Sequence, residues 1–456
     1  MPQTINVHHV EYDLWHDTLT LFEPFASEPW AMLLDSANAQ HPDSRYDILV
    51  RQPVQTIRLI NNKVICQPPL SSNQPNNLDL FSIIQAALEP LKNSHSELPF
   101  SGGALGYLGY DVARALTPEL FQQAPEQAEN DIPLPDAAIG IYTHALVVDH
   151  QAKKSFLVAP ASMTKAQAEQ FWRAPVSPYS PFKLTSSWVS NLTEEQYYER
   201  LERFHGYLHA GECEQINLAQ RFTASCTGSN WHAYTKLRSV NGAPFSGFVQ
   251  LEEGAVLSLS PERFVQVNDH GQVQTKPIKG TRPRHSDPSK DAASAAELLA
   301  SEKERNENLM IVELLSNDIR QVCKKGSVQA PQLLALESFP AVHHLVSTVV
   351  GELEDHYTAL DLMRAIFPGG SIAGNPKQRA VEIINELEPH RRSVYCGSLV
   401  YFSANGQTDS SVTIRTLCQT GKQLHCWAGG GIVADSKASE EYQETFDKVA
   451  RILPLL

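Results

Sequence analysis

Thr275-Lys276-Pro277-Ile278-Lys279-Gly280-Thr281-Arg282 sets a lysine between an apolar residue and a glycine. By itself the stretch reads as a strand end, with Gly280 permitting the turn that follows. A lysine in such a place is ordinarily exposed, because lysine is seldom buried without a partner. Working outward, the second half of the chain mixes further strands, at Gly254 to Ser260, Ser398 to Ser403 and Leu424 to Gly429, with long helices. The first half carries short alternating segments such as Ala145-Leu146-Val147-Val148-Asp149, and a Gly-rich turn region at Gly102-Gly103-Ala104-Leu105-Gly106. No internal repeat and no regular βαβ alternation is present, so the fold class is α+β rather than a doubly wound sheet.

The chain has 456 residues, 42% of them hydrophobic, enough for a large core and two or three domains. A formal net charge of −14 disfavours nucleic acid or an anionic membrane as partner, since no broad basic field meets the phosphates. A small anionic substrate needs only a local cluster of donors and stays open. Residues Met1 to Asp13 lack the basic and apolar pattern of a leader, and no apolar run reaches membrane-spanning length. The seven cysteines are scattered, with no Cys-x-x-Cys, and read as small buried thiols rather than as a zinc site or disulfide framework. A reducing cytosol is the expected compartment.

Loops are expected at Gln67 to Asn77 and at Ala174 to Ser187, where Pro175, Pro178 and Pro181 favour an extended connection. A soft boundary falls at the second. Beyond it, Thr193-Glu194-Glu195-Gln196 has the capping-box pattern and opens a helix whose apolar face carries Tyr197, Leu201, Phe204 and Leu208.

Glu304 and Glu307 lie three apart in Ala292 to Val322, a segment of strong helix formers, and Glu441 and Glu444 repeat the spacing near the C-terminus. Each pair shares one helical face, and two such pairs on facing helices can hold a hard divalent cation. In the last helix Tyr442, Phe446, Val449 and Leu453 form the apolar stripe, while Glu441, Glu444 and Lys448 line another face. By spacing alone these are equally solvated surface, with Glu444–Lys448 and Lys303–Glu307 as ordinary i,i+4 pairs.

Pro277-Ile278-Lys279-Gly280-Thr281 closely resembles the signature of the chorismate-utilising enzymes, and within them of the aminodeoxychorismate synthase component I group. The anthranilate synthase branch carries alanine at the lysine position. The resemblance covers nearly the whole chain and is densest from about Gly211 onward. It implies stacked, mainly antiparallel β-sheets flanked by helices. An N-terminal region, residues 1–180, would pack on a chorismate-binding catalytic region, residues 188–456. It also implies that Glu304, Glu307, Glu441 and Glu444 bind Mg²⁺ across the substrate's ring carboxylate, Glu307 and Glu444 directly and Glu304 and Glu441 through waters.

The same resemblance assigns the pocket. Lys279 would be the nucleophile, Glu262 in Ser260-Pro261-Glu262-Arg263 the acid/base, and His344 a residue beside the substrate ring. Arg415, on the strand-like run Ser411-Val412-Thr413-Ile414-Arg415-Thr416, would fork onto a carboxylate of the substrate. Thr281, Tyr395 and Lys448 complete the wall, and Gly429-Gly430-Gly431 offers backbone amides unobstructed by Cβ atoms. Each has a plainer reading: a strand-end carboxylate paired with Arg263, an outward arginine, a core tyrosine, a tight glycine turn. Gln215 stands where family members that add water to chorismate have a lysine. Leu33-Leu34-Asp35-Ser36, Arg45 and Pro244-Phe245-Ser246 resemble segments where relatives bind tryptophan, although core packing accounts for most of them.

Three places depart from the family pattern. Ala373 and Asn375, in Gly369-Gly370-Ser371-Ile372-Ala373-Gly374-Asn375-Pro376-Lys377, replace a hydroxyl and a small residue. Glu214 replaces an aromatic. Ser316-Asn317-Asp318-Ile319-Arg320 lacks an arginine before Asn317 and a glycine before Arg320.

The activity implied is amination of chorismate to 4-amino-4-deoxychorismate, toward p-aminobenzoate and folate. No Gly-x-Cys-x-Gly elbow surrounds any cysteine, so ammonia would come from a separate glutamine amidotransferase subunit. The alternatives are anthranilate synthase component I chemistry, against which Lys279 argues, and a non-catalytic subunit binding chorismate or tryptophan.

Overall fold

A computed structural model describes residues 4–69, 79–91, 97–121, 128–176, 178–339 and 342–456. Most of the loop expected at 67–77 lies outside them. Among the described residues the strands form two sheets, of 13 and 11 strands, in which every strand pairing is antiparallel. With helices packed on them, the class is α+β, as expected.

Side chains alternate across a strand, so neighbouring residues report on opposite faces. In the larger sheet Met32, Ile48 and Val50 join a core shared with Ile57, Leu105 and Ile139 of the smaller sheet. Leu33, Leu49 and Phe248 face the other way, into a second core with Trp231, Tyr234 and Leu237 of the helix Asn230–Asn241. The larger sheet is therefore covered on both faces, by the smaller sheet and by helices. This explains why Ala145–Asp149, read as alternating, is a strand at those bounds but buried along its whole length. Phe248 is fully enclosed, and truncating such a residue costs about 3–5 kcal/mol.

The strands at Gly254–Ser260 and Ser398–Ser403 form as read, and Leu424 to Gly429 lies within Gln423–Ile432. The glycines at 102–106 do not make a turn region. Gly103–Leu108 is a strand, and Gly106 packs so tightly that a Cβ would stand 1.9 Å from the Ala138 carbonyl oxygen. Close approach of backbones, not turning, explains them. The Thr193 capping box opens the helix Glu194–His209 with Tyr197, Leu201 and Phe204 buried, and Leu208 packs half-buried against the core. The helical segment read at Ala292 to Val322 is two helices, Pro288–Ala300 and Glu302–Arg320. Ser301 breaks them, its extended backbone ending the first while its side chain caps the second by accepting from the Glu304 N–H.

Both sheets take strands from either side of residues 181–187. Met32–Asp35 pairs with Phe245–Gln250 in one, and Gly103–Leu108 pairs with Ser398–Ser403 in the other. All seven cysteines are free thiols, six buried and Cys66 half-buried. No helix among the described residues is long and apolar enough to cross a membrane.

Candidate active site

The strand Ile278–Pro283 runs antiparallel to Val342–Glu352, and its register jumps: Ile278 faces Val346, but Thr281 faces His344. Lys279 and Gly280 together oppose one residue, the arrangement of a β-bulge. Gly280 takes φ +82°, and a Cβ there would lie 2.8 Å from Leu298 Cδ1 and 3.0 Å from Glu304 Oε2. The turn expected after Gly280 does not form, because pairing with Val342–Glu352 resumes at Thr281. The glycine bends a continuing strand instead, so Lys279 lies one residue inside the start of the strand rather than at its close.

Lys279 lines a cavity of about 540 Å³. Glu262, Thr281, His344, Tyr395, Arg415 and Lys448 line it too, as do Gly429, Gly431, Glu304, Glu307, Glu441 and Glu444. Gly430 backs onto the carboxylates: a Cβ there would be 3.1 Å from Glu441 Oε2 and 3.4 Å from Glu444 Oε1. Gln215 sits behind Gly431, whose Cβ would be 2.6 Å from Gln215 Nε2 and 3.7 Å from Lys279 Nζ.

The four carboxylates are not equivalent. Glu304 meets Arg282 at 3.4 Å, and Glu444 meets Lys448 at 2.6 Å. Glu441 is buried and accepts from Ser436 Oγ at 2.6 Å, leaving Oε2 without a partner, and Glu307 Oε1 is likewise buried and unpartnered. Burial pushes the carboxyls of Glu307 and Glu441 above the usual range. For Glu307 the charges of Lys279 and Lys303 oppose that shift, while Glu304 and Glu441 add to it. Oxygens desolvated and facing like charge are stabilised by a cation, so the set fits Mg²⁺. Among the described residues no group of three or more His, Cys, Asp or Glu side chains is placed to hold a metal ion.

Glu262 is not paired with Arg263, which turns away to Asp409 at 2.9 Å. Burial pushes the Glu262 carboxyl up to about 7, with Lys279, Arg415 and Lys448 only partly offsetting it. His344 Nδ1 lies 2.9 Å from Thr281 Oγ1. Burial, with Arg415 nearby, lowers the imidazole to about 4, so it is neutral near pH 7. Arg415 is not on a strand. It takes φ 50° between Thr408–Val412 of the smaller sheet and Thr416–Thr420 of the larger one. The chain changes sheets there, which breaks the alternation read from sequence and opens the guanidinium to the cavity. Tyr395 is buried and stacks on Trp427, ring centroids 6.1 Å apart.

Gly429, Gly430 and Gly431 are strand residues rather than a turn, paired with Ala219, Leu218 and Asn217. On the other edge, pairing with Thr416–Thr420 ends at Cys426. Lys448 Nζ donates to the Gly429 carbonyl there, at 2.7 Å.

A second cavity, of about 450 Å³, is lined by Arg45, Pro244, Phe245 and Ser246 with Leu34 and Asp35. Ser36 does not reach it. Its hydroxyl donates to Asp47 at 2.7 Å, and Arg45 holds Asp149 at 2.7 Å. The departures from the family pattern fall together: Asn375 Nδ2 donates to Glu214 Oε2 at 2.7 Å, Lys377 pairs with Asp318 at 2.6 Å, and Ala373 is fully buried.

Sequence reading missed Asn217, Arg282, Lys303 and Ser371 on the wall of the main cavity. Asn217 was signalled by its place two residues from Gln215 on one strand face. Also missed was Arg392, only 1% exposed and paired with Glu388 at 2.7 Å. Arg392 donates to the Asn217 and Ile372 carbonyls at 2.6 and 3.0 Å, tying two parts of the wall together.

Residues 31–454 match the family described as chorismate binding enzyme. The chain is 50% identical to aminodeoxychorismate synthase component 1 of Klebsiella aerogenes over 95% of both chains. It is 49% identical to the protein of that name from Escherichia coli K12, again over 95% of both. The crystal structure of anthranilate synthase component I from Streptococcus pneumoniae superposes with a TM-score of 0.78 at 31% identity, covering 91% of this chain and 93% of that one. With Lys279 bulged toward Glu262, His344 and the paired carboxylates, and with the match running almost from end to end, the chain belongs to the chorismate binding enzyme family.

Proposed function

We propose that the chain aminates chorismate to 4-amino-4-deoxychorismate, as component 1 of an aminodeoxychorismate synthase. The observation that carries this is the Lys279 amine at a bulge, on the wall that also holds Glu262 and the four carboxylates. As the free base, the Lys279 amine would form a bond to C2 of the ring. The ring double bonds shift, the C4–O bond breaks, and Glu262, protonated below about pH 7, gives the proton with which the hydroxyl leaves as water. Ammonia then bonds to C4, the double bonds return, and the electron pair of the C2–N bond goes back to Lys279. The proton released by the new ammonium restores Glu262. Arg415 and Lys448 face the substrate carboxylates, and neutral His344, aligned by Thr281, orients the ring or relays a proton. Mg²⁺ on Glu307 and Glu444, with Glu304 and Glu441 behind them, would hold and polarise the ring carboxylate.

The designation component 1 carried by the relatives supports a second component. We assign that role to a glutamine amidotransferase subunit that supplies ammonia in a cytoplasmic heterodimer, on the route to p-aminobenzoate and folate. The second cavity is where tryptophan would be received. Incubation with chorismate, Mg²⁺ and an ammonium salt tests the activity. Aminodeoxychorismate is the expected product. Anthranilate would overturn the position of amination, and unchanged chorismate would leave only binding.

A further inference from the structure

His344 is held by more than Thr281. The bond from its Nδ1 to Thr281 Oγ1, at 2.9 Å, fixes one nitrogen but leaves the ring plane soft, because the last torsion of a histidine is broad. Phe339, just past the strand Gln329–Ser338, packs on the imidazole with ring centroids 5.6 Å apart at 53°. His41, from the N-terminal part of the chain, stacks on Phe339 at 4.5 Å and 16°. His41 in turn meets Phe245 at 6.1 Å and 71°. His344 lines the main cavity and Phe245 the second one, so His41 and Phe339 fill the partition between them. Both are anchored through their backbones. The Phe339 N–H donates to the Val342 carbonyl at 2.8 Å, and the Phe339 carbonyl accepts from Arg284 at 3.1 Å. The His41 N–H donates to the Ala39 carbonyl at 2.8 Å, and the His41 carbonyl accepts from the Ser44 N–H at 3.0 Å. The Asp43 N–H donates to His41 Nδ1 at 3.1 Å, so that nitrogen keeps its lone pair and the ring is neutral. No charge is desolvated where it lies on Phe339.

We infer that His41 and Phe339 are positioning residues for His344, and that their stack fixes the plane in which its imidazole meets the substrate ring. This rests on the role given to His344 above. A group that orients a substrate or relays a proton works within a narrow range of distance and angle, and a displacement of about 1 Å costs up to about 100-fold. Such a group is held by packing as well as by hydrogen bonds. The Thr281 bond sets where Nδ1 points, and the Phe339 ring stops rotation about that bond. His41 keeps Phe339 from yielding, because it fills the space into which Phe339 would otherwise turn.

The test compares His41→Ala, His41→Phe and Phe339→Ala with wild type, each also in a His344→Ala background, using chorismate, ammonium chloride and Mg²⁺. His41→Ala and Phe339→Ala should lower kcat about tenfold, the scale of one lost ring contact. The KM for chorismate should not change. His41→Phe keeps the stack and should restore most of the loss. In the His344→Ala background neither change should cost more, because no imidazole is left to misplace. A further loss in that background would make the effect structural and overturn the assignment. An unchanged kcat, no restoration by His41→Phe, or a fully active His344→Ala would overturn it as well. The His344 imidazole signal in protein with isotope-labelled histidine, identified by its loss in His344→Gln, gives a readout that needs no turnover. It should shift or broaden in His41→Ala and return in His41→Phe, and an unmoved signal would overturn the assignment whatever the product. If wild type makes no C4-aminated product while that signal behaves as expected, the proposed function fails and the positioning stands.

Discussion

Glu262 and Arg415 stand at paired crossings between the two sheets. Gly254–Ser260 and Thr416–Thr420 are partners in the larger sheet, and Arg263–Val267 and Thr408–Val412 are partners in the smaller one. The chain thus leaves one sheet for the other twice, side by side. At each crossing it frees a residue from ladder geometry and turns a functional group into the cavity between the layers. An acid and a guanidinium more than 150 positions apart in the chain are brought together by this shared seam.

Lys279→Ala and Lys279→Arg separate nucleophile from counter-charge. Both should lose C4 amination, because a guanidinium stays protonated and cannot attack. Incubated with chorismate and Mg²⁺ but no ammonia, wild type should gain a covalent adduct at Lys279 by intact mass. An active Lys279→Arg enzyme, with no adduct in wild type, would leave the lysine only a binding role.

Glu307→Ala and Glu444→Ala should each reduce Mg²⁺-dependent turnover to background while unfolding as cooperatively as wild type. Neither removes core packing, since both side chains border the cavity. Near-normal turnover at low Mg²⁺ in either variant would refute its ligand role. An equal loss in Glu441→Ala would place buried Glu441 in direct contact with the metal.

Glu262 gives a pH-dependent stability. Its carboxyl titrates near 7 in the fold and near about 4.3 when unfolded, so the fold prefers the protonated form. The penalty for ionisation is absent below about pH 4, grows between the two values and is complete above about 7. Substrate-free Glu262→Gln should therefore gain on the order of 1–3 kcal/mol over wild type at pH 8 and little at pH 4. Denaturant unfolding at the two pH values measures this, and equal differences would show that the carboxyl is not strained.

Gly280→Ala should destabilise the fold by about 1–2 kcal/mol, because a Cβ disfavours positive φ. It should cost activity out of proportion, since the new methyl group would press on Leu298 and Glu304. Thermal unfolding and turnover, measured on one preparation, check both parts. An active variant would mean that the bulge does not aim Lys279.

Glutamine alone should not support turnover by the isolated chain, whereas ammonia at alkaline pH should, and adding an amidotransferase subunit should restore glutamine use. Product analysis with each nitrogen source decides it. Efficient glutamine use without a partner would reveal an unrecognised glutaminase nucleophile.

The capping box at Thr193, the strands at Gly254–Ser260 and Ser398–Ser403, and the spacing of Glu304 with Glu307 were legible because each depends on neighbours within a few positions. The motif around Lys279 likewise carried the family resemblance in a short local string. What sequence could not supply was long-range. Gly280 looks like a turn residue until a partner strand resumes pairing at Thr281 and makes it a bulge. Arg415 looks like a strand residue until the chain is seen to change sheets. The glycines at 103 and 106 look like loop residues until the backbones of facing strands press against them. The orphaned oxygens of Gln215, Asn217, Glu307 and Glu441 become visible only when burial removes water and no protein donor replaces it. Sequence by itself determined the local elements through short-range periodicity, and its resemblance to a family singled out the residues proposed to react. The tertiary structure alone decided which groups are desolvated and which meet, because both depend on contacts between residues far apart in the chain.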